Sequence, residues 1–302
     1  MQTTAPPAIY HGTRGPAFTS LIRNFLELGR LKPQYIDVLL SPKNLQLFGK
    51  AFTAASANSK ENYEIFEQLG DVSVNKFIVQ YAYQRFPQLR CPTGVKVVAR
   101  LRINYGSASS LASIAEKLQF WDFISAAEDG EQRGAKYRSK HQTDLLEDVL
   151  EAIVGCTEQV LDQEFRVGVG YAIVYDILKA IFDKIQISLK FEDLIDAKTR
   201  MKEVFDAFNT QLGTFKFIDN RVDGQAVSRV YQVPNGQPNY PKRRDIGDER
   251  TFYQQDNWIF LGEGIASKKI QAQQDASEKA IKALANAGFR KNPPIEYRLF
   301  CS

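Results

Sequence analysis

The stretch EIFEQLGD (residues 64–71) decides how the first half of this chain is read. Glu67 and Asp71 stand four residues apart, a spacing that puts both side chains on one face of a helix. A second stretch, LLEDVLEAIVG (residues 145–155), repeats the arrangement with Asp148 and Glu151 three apart. Like charges on adjacent turns repel by a few tenths of a kcal/mol when exposed, and either pair alone also reads as a solvated helix face. Four carboxylates from two packed helices would form an oxygen-only site for a hard cation such as Mg²⁺, which prefers octahedral oxygen and keeps several waters.

Outward from these acids, apolar residues recur three and four apart from about Phe18 to Ile185, with breaks at Pro or Gly. That periodicity predicts helices over about 63–86, 110–118, 142–161 and 171–185, with a polar, basic loop over 130–140. After Leu189 the period changes. Asp196 can cap a helix over about 197–209. Three alternating runs follow, at 214–219, 228–233 and 257–262, and read as strands. A last helix is expected over about 267–286. The fold class is therefore an all-α domain (residues 1–190) followed by a small α+β module of order α-β-β-β-α (residues 191–302).

The 302 residues are 44% hydrophobic and 25% charged, which excludes disordered and low-complexity classes. The net charge is only +4, from 39 Lys and Arg against 35 Asp and Glu, so the total gives no argument for a polyanionic partner. Two histidines, His11 and His141, and three scattered cysteines, Cys91, Cys156 and Cys301, leave no structural zinc set and no disulfide framework. A helical metal protein of the ExxH type lacks its ligands for the same reason. Any catalysis is expected to rest on carboxylates. The first fifteen residues carry no apolar signal core, and the most apolar stretch, 167–182, is broken by Asp176 and Lys179. A soluble, intracellular protein with no membrane partner is expected, the cytoplasm being the compartment that fits.

At the two acidic stretches the chain resembles the ribonuclease III family. EIFEQLGD is similar to the family's ERLEFLGD-like helix, and LLEDVLEAIVG to its second acidic helix. AFTAAS (51–56) resembles the ALTHxS-like element, with Ala54 where histidine is usual. SSLASIAEKLQFWDFI (109–124) is similar to the NxxLAxIAxxLGLxxY helix, with serine for asparagine. In the second half, IDAKTRMKEVFDAF (195–208) resembles the DPKTxLQE opening of the family's double-stranded RNA-binding domain, and GEGIASKKIQAQQDASEKAIKAL (262–284) the GxGxSKKxA helix that closes it. No GPxH loop follows the first strand, and Ala272 and Ala276 are out of the usual register with the lysines.

The resemblance implies Glu67, Asp71, Asp148 and Glu151 as catalytic residues and ligands of Mg²⁺, with Mn²⁺ as a substitute and no small-molecule cofactor. It implies a homodimer that cuts double-stranded RNA and leaves short 3′ overhangs. Thr199 and Glu203 would face an RNA minor groove. Lys268 and Lys269, at a helix start where free N–H groups and the dipole coincide, would clamp phosphate. An insertion over 234–256 carries Lys242, Arg243 and Arg244 at a basic tip, which would add phosphate contacts or serve as a plain solvated loop. Glu64, one turn before Glu67, would serve the dimer valley or support the metal ligands from behind, or is a plain surface acid. The alternative reading is a noncatalytic relative that binds duplex RNA or scaffolds a ribonucleoprotein; relatives of that kind lose quartet acids, and here all four are present.

Overall fold

Proline opens the first three helices, α1 (Pro16–Glu27), α2 (Pro33–Leu39) and α3 (Pro42–Ala51). Its missing N–H costs nothing there, because the first-turn donors have no partner inside a helix. The computed structural model describes residues 8–127, 140–236 and 257–300. It divides into two units, residues 1–187 and 188–302.

In the first unit a short antiparallel pair, β1 (Ile9–Tyr10) with β2 (Ala126–Ala127), ties the start of the chain to the end of the small helices. The remaining elements are α4 (Glu64–Arg85), α5 (Val95–Tyr105), α6 (Ala108–Lys117), α7 (Lys140–Glu164) and α8 (Val169–Phe182). Four of them lie within a few residues of the expected helices, whereas α2, α3 and α5 are too short for periodicity to separate from a general helical pattern. Lys140, expected in a loop, opens α7; residues 130–139 of that loop lie outside the described residues. The centre of the unit is α7, whose Val149, Ala152, Ile153 and Cys156 are fully buried. Phe77 of α4 and Phe182 of α8 meet edge to face, 5.0 Å between ring centroids, which orients α4 and α8 on the same core.

In the second unit α9 (Phe191–Leu194) precedes α10 (Ala197–Ala207) and the single turn α11 (Asn209–Leu212). Asp196 caps α10, its carboxylate accepting the Thr199 N–H at 3.0 Å. The helix stops at Ala207 rather than Asn209, because Phe208 leaves helical geometry (φ −121°, ψ 31°). Strands β3 (Thr214–Val222), β4 (Gln225–Val233) and β5 (Ile259–Ala266) form an antiparallel sheet in that order. Asp223 and Gly224, with φ of 51° and 78°, make the two-residue primed turn that suits the strand twist. The hairpin thus closes with no room for a longer loop. Helix α12 (Lys269–Asn286) and the short α13 (Ile295–Arg298) complete the unit. Met201, Phe205, Val230, Ala276, Ala280 and Leu284 bury one sheet face beneath α10 and α12. The register of Ala272 and Ala276, irregular against the lysines, serves this packing: both are fully buried.

Among the described residues no helix is long and apolar enough to cross a membrane. Lys242, Arg243, Arg244 and Cys301 lie outside the described residues.

Candidate active site

Two glycines set the site. A Cβ on Gly70 of α4 would stand 1.8 Å from the Glu151 carbonyl oxygen, and one on Gly155 of α7 would stand 2.1 Å from the Phe66 carbonyl oxygen. Each glycine is thus pressed against the other helix's backbone, and any side chain at either position would force the helices apart. The acids flank this contact. Glu67 and Asp71 lie three residues before and one after Gly70, while Glu151 and Asp148 lie four and seven before Gly155. Close crossing therefore brings the two helical pairs near enough to act on one another electrostatically.

Burial and mutual repulsion mark the group electrostatically. Burial, then the charges of Asp71, Glu147, Glu67 and Asp148, push the Glu151 carboxyl up to about 8. Glu151 is only 7% exposed. Glu67 is raised by burial and by Asp148, Glu64 and Asp71. Asp148 is raised chiefly by burial, opposed by a hydrogen bond from Tyr63 and by the charge of His141. The Tyr63 hydroxyl donates to Asp148 Oδ2 at 2.6 Å. Asn75 donates to Asp71 Oδ1 at 2.6 Å, and Arg102 donates to the Asn75 amide oxygen at 3.2 Å. A fifth acid, Glu147, is pushed up to about 7 by burial and by Asp148, Asp144, Glu67 and Asp71.

Among the described residues none of these five acids is ion-paired with Lys or Arg. Nor do three acids, histidines or cysteines there stand close enough together to hold a metal ion as they lie. What these residues offer is an oxygen-only donor set that, among the described residues, has no Lys or Arg paired to it. That chemistry fits Mg²⁺, which takes a few carboxylates and retains waters rather than demanding an all-protein cage.

Residues 64–158 match the Ribonuclease III domain family model, a stretch that opens at the first acid of α4 and ends inside α7. A ribonuclease 3 relative from Invertebrate iridescent virus 6 is 39% identical, the alignment covering 98% of this chain and 97% of the relative. The chain belongs to the ribonuclease III family. Ribonuclease 3 of Haemophilus influenzae (strain PittEE) is 27% identical over 80% of this ribonuclease III chain and 92% of its own length. Among solved structures, the ribonuclease III nuclease domain from Campylobacter jejuni is 23% identical, covers 55% of this chain and 99% of its own, and gives a TM-score of 0.37.

The RNA-facing candidates of this ribonuclease III chain are distributed over its second unit. Thr199 donates its hydroxyl to Asp196 Oδ2 at 2.6 Å, so that group serves the cap. Glu203 pairs with Lys291 at 2.9 Å. Lys269 pairs with Asp219 at 2.7 Å, and the same carboxylate accepts from Ser228 and Gln273; these contacts hold Asp219 below the usual carboxylate range against the opposing effect of burial. Lys268 is exposed at the N-cap of α12. One lysine of the two is thus matched by an internal acid.

Three residues of the site escape a reading by acidic pairs. Glu147 sits between Leu146 and Asp148 and breaks the three-or-four spacing to Asp148, though it is four from Glu151. Tyr63 and Asn75 extend the run Tyr63, Glu67, Asp71, Asn75, one polar residue every fourth position. That stripe is the signal that finds them.

Proposed function

We propose that this ribonuclease III chain is a Mg²⁺-dependent endonuclease of double-stranded RNA that works as a homodimer and leaves short 3′ overhangs. The observation that carries the reading is the crossing of α4 and α7 at paired glycines, with acids on both sides of the contact. Glu67, Asp71, Asp148 and Glu151 are the residues that would hold Mg²⁺, or Mn²⁺ as a substitute; when bound it supplies an activated water, neutralised phosphoryl charge and help for the leaving 3′-oxygen. The protein's own part is to keep these carboxylates together against their repulsion, with Glu151 deepest and Asp71 at the open surface.

Support for the homodimer comes from α4. Ile65, Leu69, Val72, Val79 and Tyr83 are all exposed, and they recur at the three-and-four spacing of a helix seam. A seam of this kind is a contact surface, and a second copy of the same helix matches it in chemistry. Two sites related by a twofold axis would then cut opposite strands. Duplex RNA is read by shape, 2′-hydroxyls and phosphates, which suits the exposed Lys268 at the α12 start; Lys269, Thr199 and Glu203, held by Asp219, Asp196 and Lys291, would join it by exchanging those partners for RNA, and Lys242, Arg243 and Arg244 are the further phosphate contacts of this reading.

The test is Glu151→Gln. Cleavage of a long RNA duplex in Mg²⁺ should fall at least a thousandfold, on the order of the ~4 kcal/mol carried by an essential group, while duplex binding measured by gel shift is unchanged. Wild-type protein that binds the duplex in Mg²⁺ and leaves it intact would overturn the enzyme and favour the scaffold.

A further inference from the structure

Tyr63 lies outside both acidic pairs and is nevertheless the residue with the most determined relation to one of them. Its backbone is fixed at both ends: the N–H donates to the Thr53 carbonyl at 2.9 Å, and its carbonyl accepts the Glu67 N–H at 2.9 Å. Its ring is part of the first unit's core and 7% exposed. The only freedom left is at the hydroxyl, which reaches from the residue before α4 to Asp148 Oδ2 on α7.

We propose that Tyr63 is a positioning residue, holding the Asp148 carboxylate by Oδ2 so that Oδ1 is left for a cation. The inference rests on the reading of Asp148 as a ligand. A half-buried carboxylate among like charges turns away from them unless something holds it. A Lys or Arg partner would hold it but would neutralise the charge that attracts a cation. A phenol holds it and is neutral, since an ordinary tyrosine hydroxyl keeps its proton until about pH 10. One lone pair of Oδ2 is engaged by the donor, and Oδ1 is left for ligation. Partners that orient ligands in this manner typically change metal affinity or activity 10–100-fold.

Tyr63→Phe keeps the ring and removes only the donor. In the full-length protein without RNA, Mg²⁺ binding followed by titration calorimetry should weaken about 10–100-fold. The Mg²⁺ concentration for half-maximal cleavage should rise in parallel, with KM for the duplex unchanged. A double-mutant cycle separates the causes: in an Asp148→Asn background, Tyr63→Phe should have no further effect on Mg²⁺ binding. If Tyr63→Phe lowers the melting temperature but leaves Mg²⁺ binding at the wild-type value, the residue is only structural and the proposal is overturned. The same holds if its effect persists in full without Asp148. If instead Asp148→Asn cleaves like the wild type, the ligand assignment fails, and the proposal falls with it for a reason the Tyr63 result alone would not give.

Discussion

Glu151 buries a carboxylate within reach of four others, an arrangement that is unfavourable in the absence of a cation. Its folded-state pKa, about 8 against an ordinary 4.5, sits above the unfolded value. The associated stability is therefore fully present below about pH 4.5 and is lost as pH rises through about 8. Glu147, moved to about 7, acts in the same direction. In EDTA the melting temperature should fall by a few degrees between about pH 5 and pH 8, and Mg²⁺ should restore it at pH 8 by binding the folded state. A metal-free melting curve that is flat over that window would show that the acids do not form one electrostatic group. Helical spacing and family likeness single out the four quartet acids, and the fold couples them electrostatically. Glu147 is not legible, because the burial of an acid is invisible without the opposite helix, and the four-residue stripe finds Tyr63 without giving the target of its hydroxyl.

Between elements, the controlling contact is backbone on backbone. Gly155→Ala adds one methyl group where a carbonyl oxygen already lies 2.1 Å from the Cβ position. The helices must separate, and overpacking of this kind costs on the order of 1–3 kcal/mol or more. Urea unfolding should give a lower midpoint, and cleavage should drop further than the stability loss explains, since the acids move apart with the helices. Equal stability with full activity would remove the crossing from the account. Helix lengths were legible because Pro87 and the apolar stripe of α7 bound them. The break between α10 and α11 was not: Phe208 continues the apolar pattern, and only its packing on Phe289, 5.5 Å between centroids, shows why it leaves the helix. The strands ran longer than their alternation indicated because the primed turn at Asp223–Gly224 lets β3 and β4 pair up to Val222 and Gln225.

For the molecule as a whole, the net charge of +4 conceals a local excess of acid on α4 and α7, while at the α12 start Lys268 is exposed and Lys269 is held by Asp219. Composition could not reveal that distribution, because opposite local excesses cancel in a sum. Self-association belongs to this scale. Val72, 66% exposed on the α4 seam, is the residue to change: Val72→Glu should shift the protein to a monomer in sedimentation equilibrium and convert double-strand cleavage to nicking or abolish it. A variant that sediments as the wild type would move the dimer contact elsewhere.

The paired glycines also act as a ruler. Because main chain meets main chain at Gly70 and Gly155, the helices are as close there as backbone allows, and apolar side chains elsewhere in the core can change without bringing the acids nearer. Sliding α4 along α7 by one residue would bring a Cβ against a carbonyl, so the register is locked as well as the distance. Transplanting the site into another helical scaffold would accordingly require two glycines and their offsets to the acids before any attention to the acids themselves.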